Sequence, residues 1–277
     1  MNYNYLIMLR YFEIGARLAR KNFDIVLTLF FIDFFVLALA GIFTLDWFPQ
    51  NIASKTIILH YNYYKILKTL PNIIKPALEI FIMAFAILSA NNVLSKQNET
   101  SIENPIKTGI RNYISLLIIF IITLIAIIIP ALIFLILSLA VFKFHFDAAI
   151  NFSYIIAFFI MISVSIFFYF SPFELLIKKE SLLNSLKESF ALGRKNFWKI
   201  AVFINTYFAI VLISYFISAF FVGIYVVSVE QITKTINIGI LPKYSIEAIL
   251  SLILRFIYMT AIFASLIFFK ELKNEGL

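Results

Sequence analysis

The chain has 277 residues, 62% of them hydrophobic and 14% charged, with a formal net charge of +8 and no cysteine. A soluble domain carries about 25% charged residues and interrupts its apolar runs far more often, so the composition excludes a soluble globular protein and implies an all-α integral membrane protein. Without cysteine there is no disulfide and no thiolate chemistry, and the two histidines, His60 and His145, stand too far apart for a metal-ligand spacing.

Near the start, Phe12, Ala16, Ala19 and Phe23 recur at steps of four, three and four, with Arg10, Glu13, Arg17 and Arg20 on the other side. This spacing predicts an amphipathic helix lying in the membrane interface. Residues 25–45 are then apolar except for Asp33, and about 20 such residues cross a hydrocarbon core. The basic lead and Ala38-Leu39-Ala40 mimic a signal peptide with its cleavage site. An aspartate inside the apolar region, and two later recurrences of the lead-plus-span pattern, argue against cleavage.

Residues 46–75 mix Trp47, Pro49, Tyr61, Tyr63, Tyr64 and Pro71 with short apolar groups, as head-group loops do. Leu59, Tyr63, Leu67 and Leu70 keep helical spacing and predict a short surface helix there. A second span, 77–94, carries Glu79 near its start and Asn91 and Asn92 near its end.

Asn104 and Pro105 then form a helix start, and Ile102, Ile106, Gly109 and Tyr113 repeat the stripe of the first lead. The third span, 114–142, has no charge, and Pro130 is a candidate kink within it. A loop holding Lys143, His145 and Asp147 leads to a fourth span, 150–177, with Pro172 and Glu174 near its end. The third lead, SLLNSLKESFALGRKNF at 181–197, has Leu186, Phe190, Gly193 and Phe197 as its stripe and feeds the fifth span, 200–229. The last span, 246–269, holds Arg255.

Aligned on Phe23, Tyr113 and Phe197, the leads share a small residue (Ala19, Gly109, Gly193), a basic residue (Lys21, Arg111, Lys195) and an asparagine (Asn22, Asn112, Asn196). Arg-Lys-Asn-Phe occurs twice, 174 residues apart. The expected architecture is six transmembrane helices as three hairpins, each preceded by a cytoplasmic amphipathic helix, in repeat units of about 1–98, 99–180 and 181–277. Lysines and arginines number 15 on the side of the leads and both termini against 7 on the other, which places that side in the cytoplasm of a cell membrane.

The segment SPFELLIKKESLLNSLKESFALGRKNFWKIAVF, 171–203, resembles YciC-like proteins and the membrane domain attached to some glycerophosphodiester phosphodiesterases. The shared pattern is an aliphatic span end, a basic turn, a short helix with a serine, and a basic-asparagine-aromatic entry into the next span. The resemblance implies a six-span membrane module with no catalytic residues to carry over, because the soluble phosphodiesterase domain has no counterpart here.

Chemistry is scarce in this inventory: there is no GxGxxG, P-loop or GxSxG, so no enzyme activity and no cofactor is expected. Asp33 and Arg255 are the candidate intramembrane pair. A helix of 1.5 Å rise per residue puts both about 14–16 Å from the inner face, and such charges must face protein or water. Asn205, Ser163 and Ser165 are expected to hydrogen-bond between helices. Arg17, Arg20, Lys21, Arg111, Arg194 and Lys195 are the candidate lipid head-group contacts. Expected partners are membrane lipids, anionic ones first, and then a membrane protein, with no nucleic acid. The functional expectation is a non-catalytic module that binds or organises lipid or partner proteins, with a small transporter or lipid-handling channel using Asp33 and Arg255 as the alternative.

Overall fold

A computed structural model describes residues 5–32, 57–96, 104–141, 146–233 and 241–273. Asp33 and the rest of the first span, Trp47, Ile102, His145 and Lys234 lie outside the described residues. Among the described residues every element is an α-helix and no strand occurs. In chain order these are α1 (Tyr5–Lys21), α2 (Phe23–Ile32), α3 (Ile57–Lys96), α4 (Pro105–Val141), α5 (Phe146–Phe168), α6 (Ser171–Ile177), α7 (Leu182–Lys195), α8 (Phe197–Thr233) and α9 (Leu241–Leu272). Five of them hold windows long and apolar enough to cross a membrane: Pro76–Ser95, Pro105–Val141, Ile150–Ile177, Phe197–Ser214 and Ile249–Leu272.

The breaks between helices follow local chemistry. Pro172 has no N–H to donate, so α5 ends at Phe168 and α6 restarts with proline in its first turn. Lys179 takes a left-handed φ of 58°, turning the chain out of α6. Ser181 then caps α7, its hydroxyl accepting the Asn184 N–H. Asn22 and Asn196 stand at the turns α1–α2 and α7–α8, and each donates its side-chain amide to the carbonyl four residues back, Leu18 and Leu192. Asn112 makes the same bond to Thr108, but there the helix continues unbroken, so lead and span form the single 37-residue α4, which also runs through Pro130. The surface helix expected near 57–70 is likewise continuous with the span after it, as α3.

Each lead packs on an apolar helix, α1 and the start of α4 lengthwise and antiparallel, α7 across the end of α5. In α1, Tyr11 packs on Phe268, Gly15 on Thr260 and Ala264, and Phe23 at the start of α2 on Phe256. In α4, Gly109 meets Ala84 and Phe81, and the Tyr113 hydroxyl donates to the Ala77 carbonyl at 3.1 Å. In α7, Gly193 meets the Phe167 backbone and Ser189 donates to the Phe167 carbonyl at 2.9 Å. Glycine is required at two of these contacts. A Cβ on Gly15 would stand 2.4 Å from the Thr260 oxygen, and one on Gly193 would stand 2.9 Å from Phe167 Cα.

The core sits where these helices converge. Residues 84–90 of α3, 173–176 of α6 and 259–269 of α9 are buried at every position, which no one-sided amphipathic helix could be. Phe203 of α8 stacks on Phe268 at 4.6 Å and on Phe12 at 5.0 Å, joining α1, α8 and α9. The buried face of the leads is rotated from the expected stripe: Phe12 and Gly193 are buried, but Phe23 and Phe190 are 39% and 45% exposed. The faces that go in are Tyr11, Gly15 and Ala19 on α1 and Ser185, Ser189 and Gly193 on α7, and all of these but Tyr11 are small residues that let backbones approach.

Candidate functional site

Three groups of polar side chains stand out against this apolar background. The first is Arg255 on α9, buried, which donates through both guanidinium nitrogens to Glu79 on α3, at 2.8 and 3.2 Å. The fork matches the two carboxylate oxygens, the geometry that makes arginine the strongest carboxylate partner. Its guanidinium carbon also lies 5.6 Å from the centre of the Tyr258 ring. The Arg255 side chain is 8% exposed and that of Glu79 39%, so the pair is sealed on the α9 side and open on the α3 side. Glu79 thus holds one identified face of Arg255. Asp33, the partner expected from depth, lies outside the described residues, and Phe256, next to Arg255, packs on Phe23 at the very start of α2.

The second group ties three elements together. Lys273, just beyond α9, reaches Glu174 of α6 at 2.8 Å and Glu188 of α7 at 3.1 Å, and Tyr11 of α1 donates its hydroxyl to Glu271. The Glu174 side chain is 1% exposed, and a carboxylate so buried needs this cation. Burial works against the Lys273 ammonium, but hydrogen bonds and charge from Glu174 and Glu188 outweigh it and hold its pKa above the ordinary lysine value. Glu79 and Glu174 each have a cation of their own, and nothing brings the two carboxylates together as an acid–base pair.

The third group is the basic set on the leads. Arg17, Arg20, Lys21, Arg111, Arg194 and Lys195 are all exposed, while the opposite faces of the same helices are packed into protein. Arg17 pairs with Glu13 one turn back on the same exposed face. All six lie within six residues of the aromatic that opens the following apolar helix.

Hydroxyl groups join the helices at positions other than the Asn205, Ser163 and Ser165 expected from sequence. Ser138 and Ser153 lie 2.6 Å apart between α4 and α5, and Tyr169, in the break between α5 and α6, lies 2.7 Å from Ser265 of α9. Asn205 is exposed. Among the described residues no group of three or more acidic or histidine side chains is arranged to hold a metal ion.

No protein-family model matches the chain, and no curated protein or solved structure matches it either.

Proposed function

We propose that the chain is a non-catalytic multi-pass membrane module that gathers anionic lipid, and through it partner proteins, around its basic leads. In this reading three units, about 1–98, 99–180 and 181–277, each contribute an amphipathic lead and a helical hairpin. Six transmembrane helices result, in a cell membrane with both termini cytoplasmic, as in the YciC-like module that 171–203 resembles. The observation that carries the reading is the exposure of all six basic residues on helices whose other faces are anchored in protein. A charge held at the end of a fixed helix keeps its position relative to the bilayer, and each contributes about 1 kcal/mol toward an anionic surface before screening.

Three sets of equivalent positions support the repeat. Ala19, Gly109 and Gly193 are buried, as are Val26, Leu116 and Ile200, and Leu29, Ile119 and Phe203. The three asparagines share one hydrogen bond, and the three leads each dock on an apolar helix of a preceding unit, with α1 closing the set on α9. Against a transporter built on Asp33 and Arg255 stand the guanidinium engaged by Glu79 and an interior filled by stacked aromatic rings.

Lipid retention tests the reading. The protein purified in detergent with equal amounts of phosphatidylglycerol and phosphatidylcholine should retain the anionic lipid preferentially, as counted by native mass spectrometry. Changing all six basic residues to glutamine should cut that preference at least about tenfold, since tenfold needs only about 1.4 kcal/mol and each residue contributes roughly 1 kcal/mol before screening. An unchanged preference in the folded variant would sink the proposal.

A further inference from the structure

Two of the apolar windows compete for one bilayer. A hydrocarbon core about 30 Å thick holds roughly 20 helical residues. The window in α4 has a mean hydropathy of 3.3, and its uncharged part begins after Tyr113. The window Pro76–Ser95 in α3, at 1.8, starts from the same level and runs the other way, since Tyr113 bonds Ala77 while Gly109 lies on Ala84. The second half of α3 is therefore flanked by the lead of α4, with Lys107 and Arg111 exposed, and not by its apolar run. Both windows cannot lie in lipid, and α4 has the stronger claim.

The same opposition recurs at α9. Contacts of Tyr11 with Phe268, Gly15 with Thr260 and Phe23 with Phe256 spread α1 along 256–268, so exposed Arg10, Glu13, Arg17 and Arg20 accompany that apolar stretch along its length. Exposure changes at matching places. On α9, Ile253 and Leu254 are exposed and Arg255 is buried; on α5, Phe158 and Phe159 are exposed and Ile166 is buried. On α8 the buried run ends near Thr206, and Phe208, Leu212 and Phe216 are exposed.

We propose that the hydrocarbon boundary passes within two turns beyond the joints Asn22, Asn112 and Asn196, so that the second half of α3, α6 and the end of α9 form a helical core standing outside the lipid. The leads clothe this core. The lipid-facing surface is α4 beyond Ile119, α5 before Ile166 and α8 beyond Tyr207, and exposed Trp198 near the boundary belongs to the interfacial aromatic belt. Glu79 and Arg255 then stand at the boundary, where charge is tolerated, instead of at mid-membrane.

Because the chain has no cysteine, single-cysteine variants report position cleanly. Ile106 and Leu183 on the leads are 52% and 65% exposed, and Ile125 on α4 and Phe158 on α5 are 48% and 55% exposed, so accessibility within the protein is matched. In nanodiscs of phosphatidylcholine alone, a charged maleimide should label Ile106→Cys and Leu183→Cys at least about fiftyfold faster than Ile125→Cys and Phe158→Cys, because hydrocarbon disfavours charge by that order. Slow labelling at Ile106, which lies beside the middle of the α3 window, would overturn the placement, as would equal rates at all four sites. The lipid carries no net charge, so this outcome is independent of any head-group preference.

Discussion

Two kinds of apolar helix coexist in this molecule and differ in what covers them. The windows in α4 and α5 are 11% buried, and those in α3 and α9 are 61% and 67% buried. Mean hydropathy does not sort them: α4 leads at 3.3, but the exposed α5 window and the buried α9 window share 2.2. Lipid asks only that a surface be apolar, so α4 is filled with isoleucine and leucine on all sides. A protein core also asks for shape, so the buried stretches of α3 and α9 use alanine, serine and threonine beside phenylalanine, which tightens their packing. A hydropathy average ranks these helices by greasiness and is silent on which neighbour supplies the cover.

The sharpest way to break this comparison is to truncate one aromatic of each kind. Phe203→Ala should cost about 4 kcal/mol by opening a cavity among stacked rings, while Phe158→Ala, more than half exposed, should cost well under 1 kcal/mol. Unfolding free energies in mixed micelles read the difference, and equal losses would mean that the two environments are energetically alike.

The glycines separate close approach from ordinary contact. Gly15→Val should destabilise by about 3 kcal/mol, because its Cβ would press on the Thr260 carbonyl. Gly109→Ala, whose added methyl would lie 3.6 Å from the Ala84 methyl, should instead gain up to ~1 kcal/mol from helix propensity. A stable Gly15→Val protein would show that α1 does not hold its place on α9.

Glu79→Leu should cost about 2–3 kcal/mol, below the range for a fully buried pair because this carboxylate is partly exposed. Adding Arg255→Leu should return much of that loss. Asp33→Asn measured beside it sharpens the assignment: additivity with Arg255→Leu argues against a direct pair, and recovery argues for one.

The smallest effect is a pH dependence. A lysine whose folded pKa is raised contributes stability that is fully present below its unfolded value, near 10.5, and lost as pH rises through the folded value. Wild type should therefore lose up to ~1 kcal/mol more than Lys273→Met between pH 9 and pH 12, since this bridge is partly exposed. Parallel alkaline curves would remove Lys273 from the account.

Much of the fold was legible because its signals are local. The leads carry their helix period within 17 residues, and the asparagine that ends each one recurs with the same neighbours. The buried face is legible in part: Phe12, Ala19, Gly109 and Gly193 of the expected stripes are buried, but Phe23 and Phe190 are exposed, and close helix contact also selects Gly15 and Ser189 outside the stripes. Extending the 174-residue offset eight residues upstream of Phe23 and Phe197 would have paired those two small residues. The Glu79–Arg255 pair was beyond reach, since 176 residues separate its members and an ion pair leaves no periodic mark. Nor does composition distinguish a helix covered by protein from one covered by lipid.

The contact of α1 with α9 also has a consequence for biosynthesis. Tyr11 and Glu271 are 260 residues apart, so α1 finds its seat only after α9 has been made. Until α8 and α9 are made, the apolar face of α1, Met8, Tyr11, Phe12 and Ala19, has yet to meet the helices it packs on. A membrane surface is the available refuge for such a face, and the arginines opposite it suit an anionic leaflet. The helix that ends as a buttress thus begins as a float, and its late departure from the lipid is the step at which it takes its seat on α9.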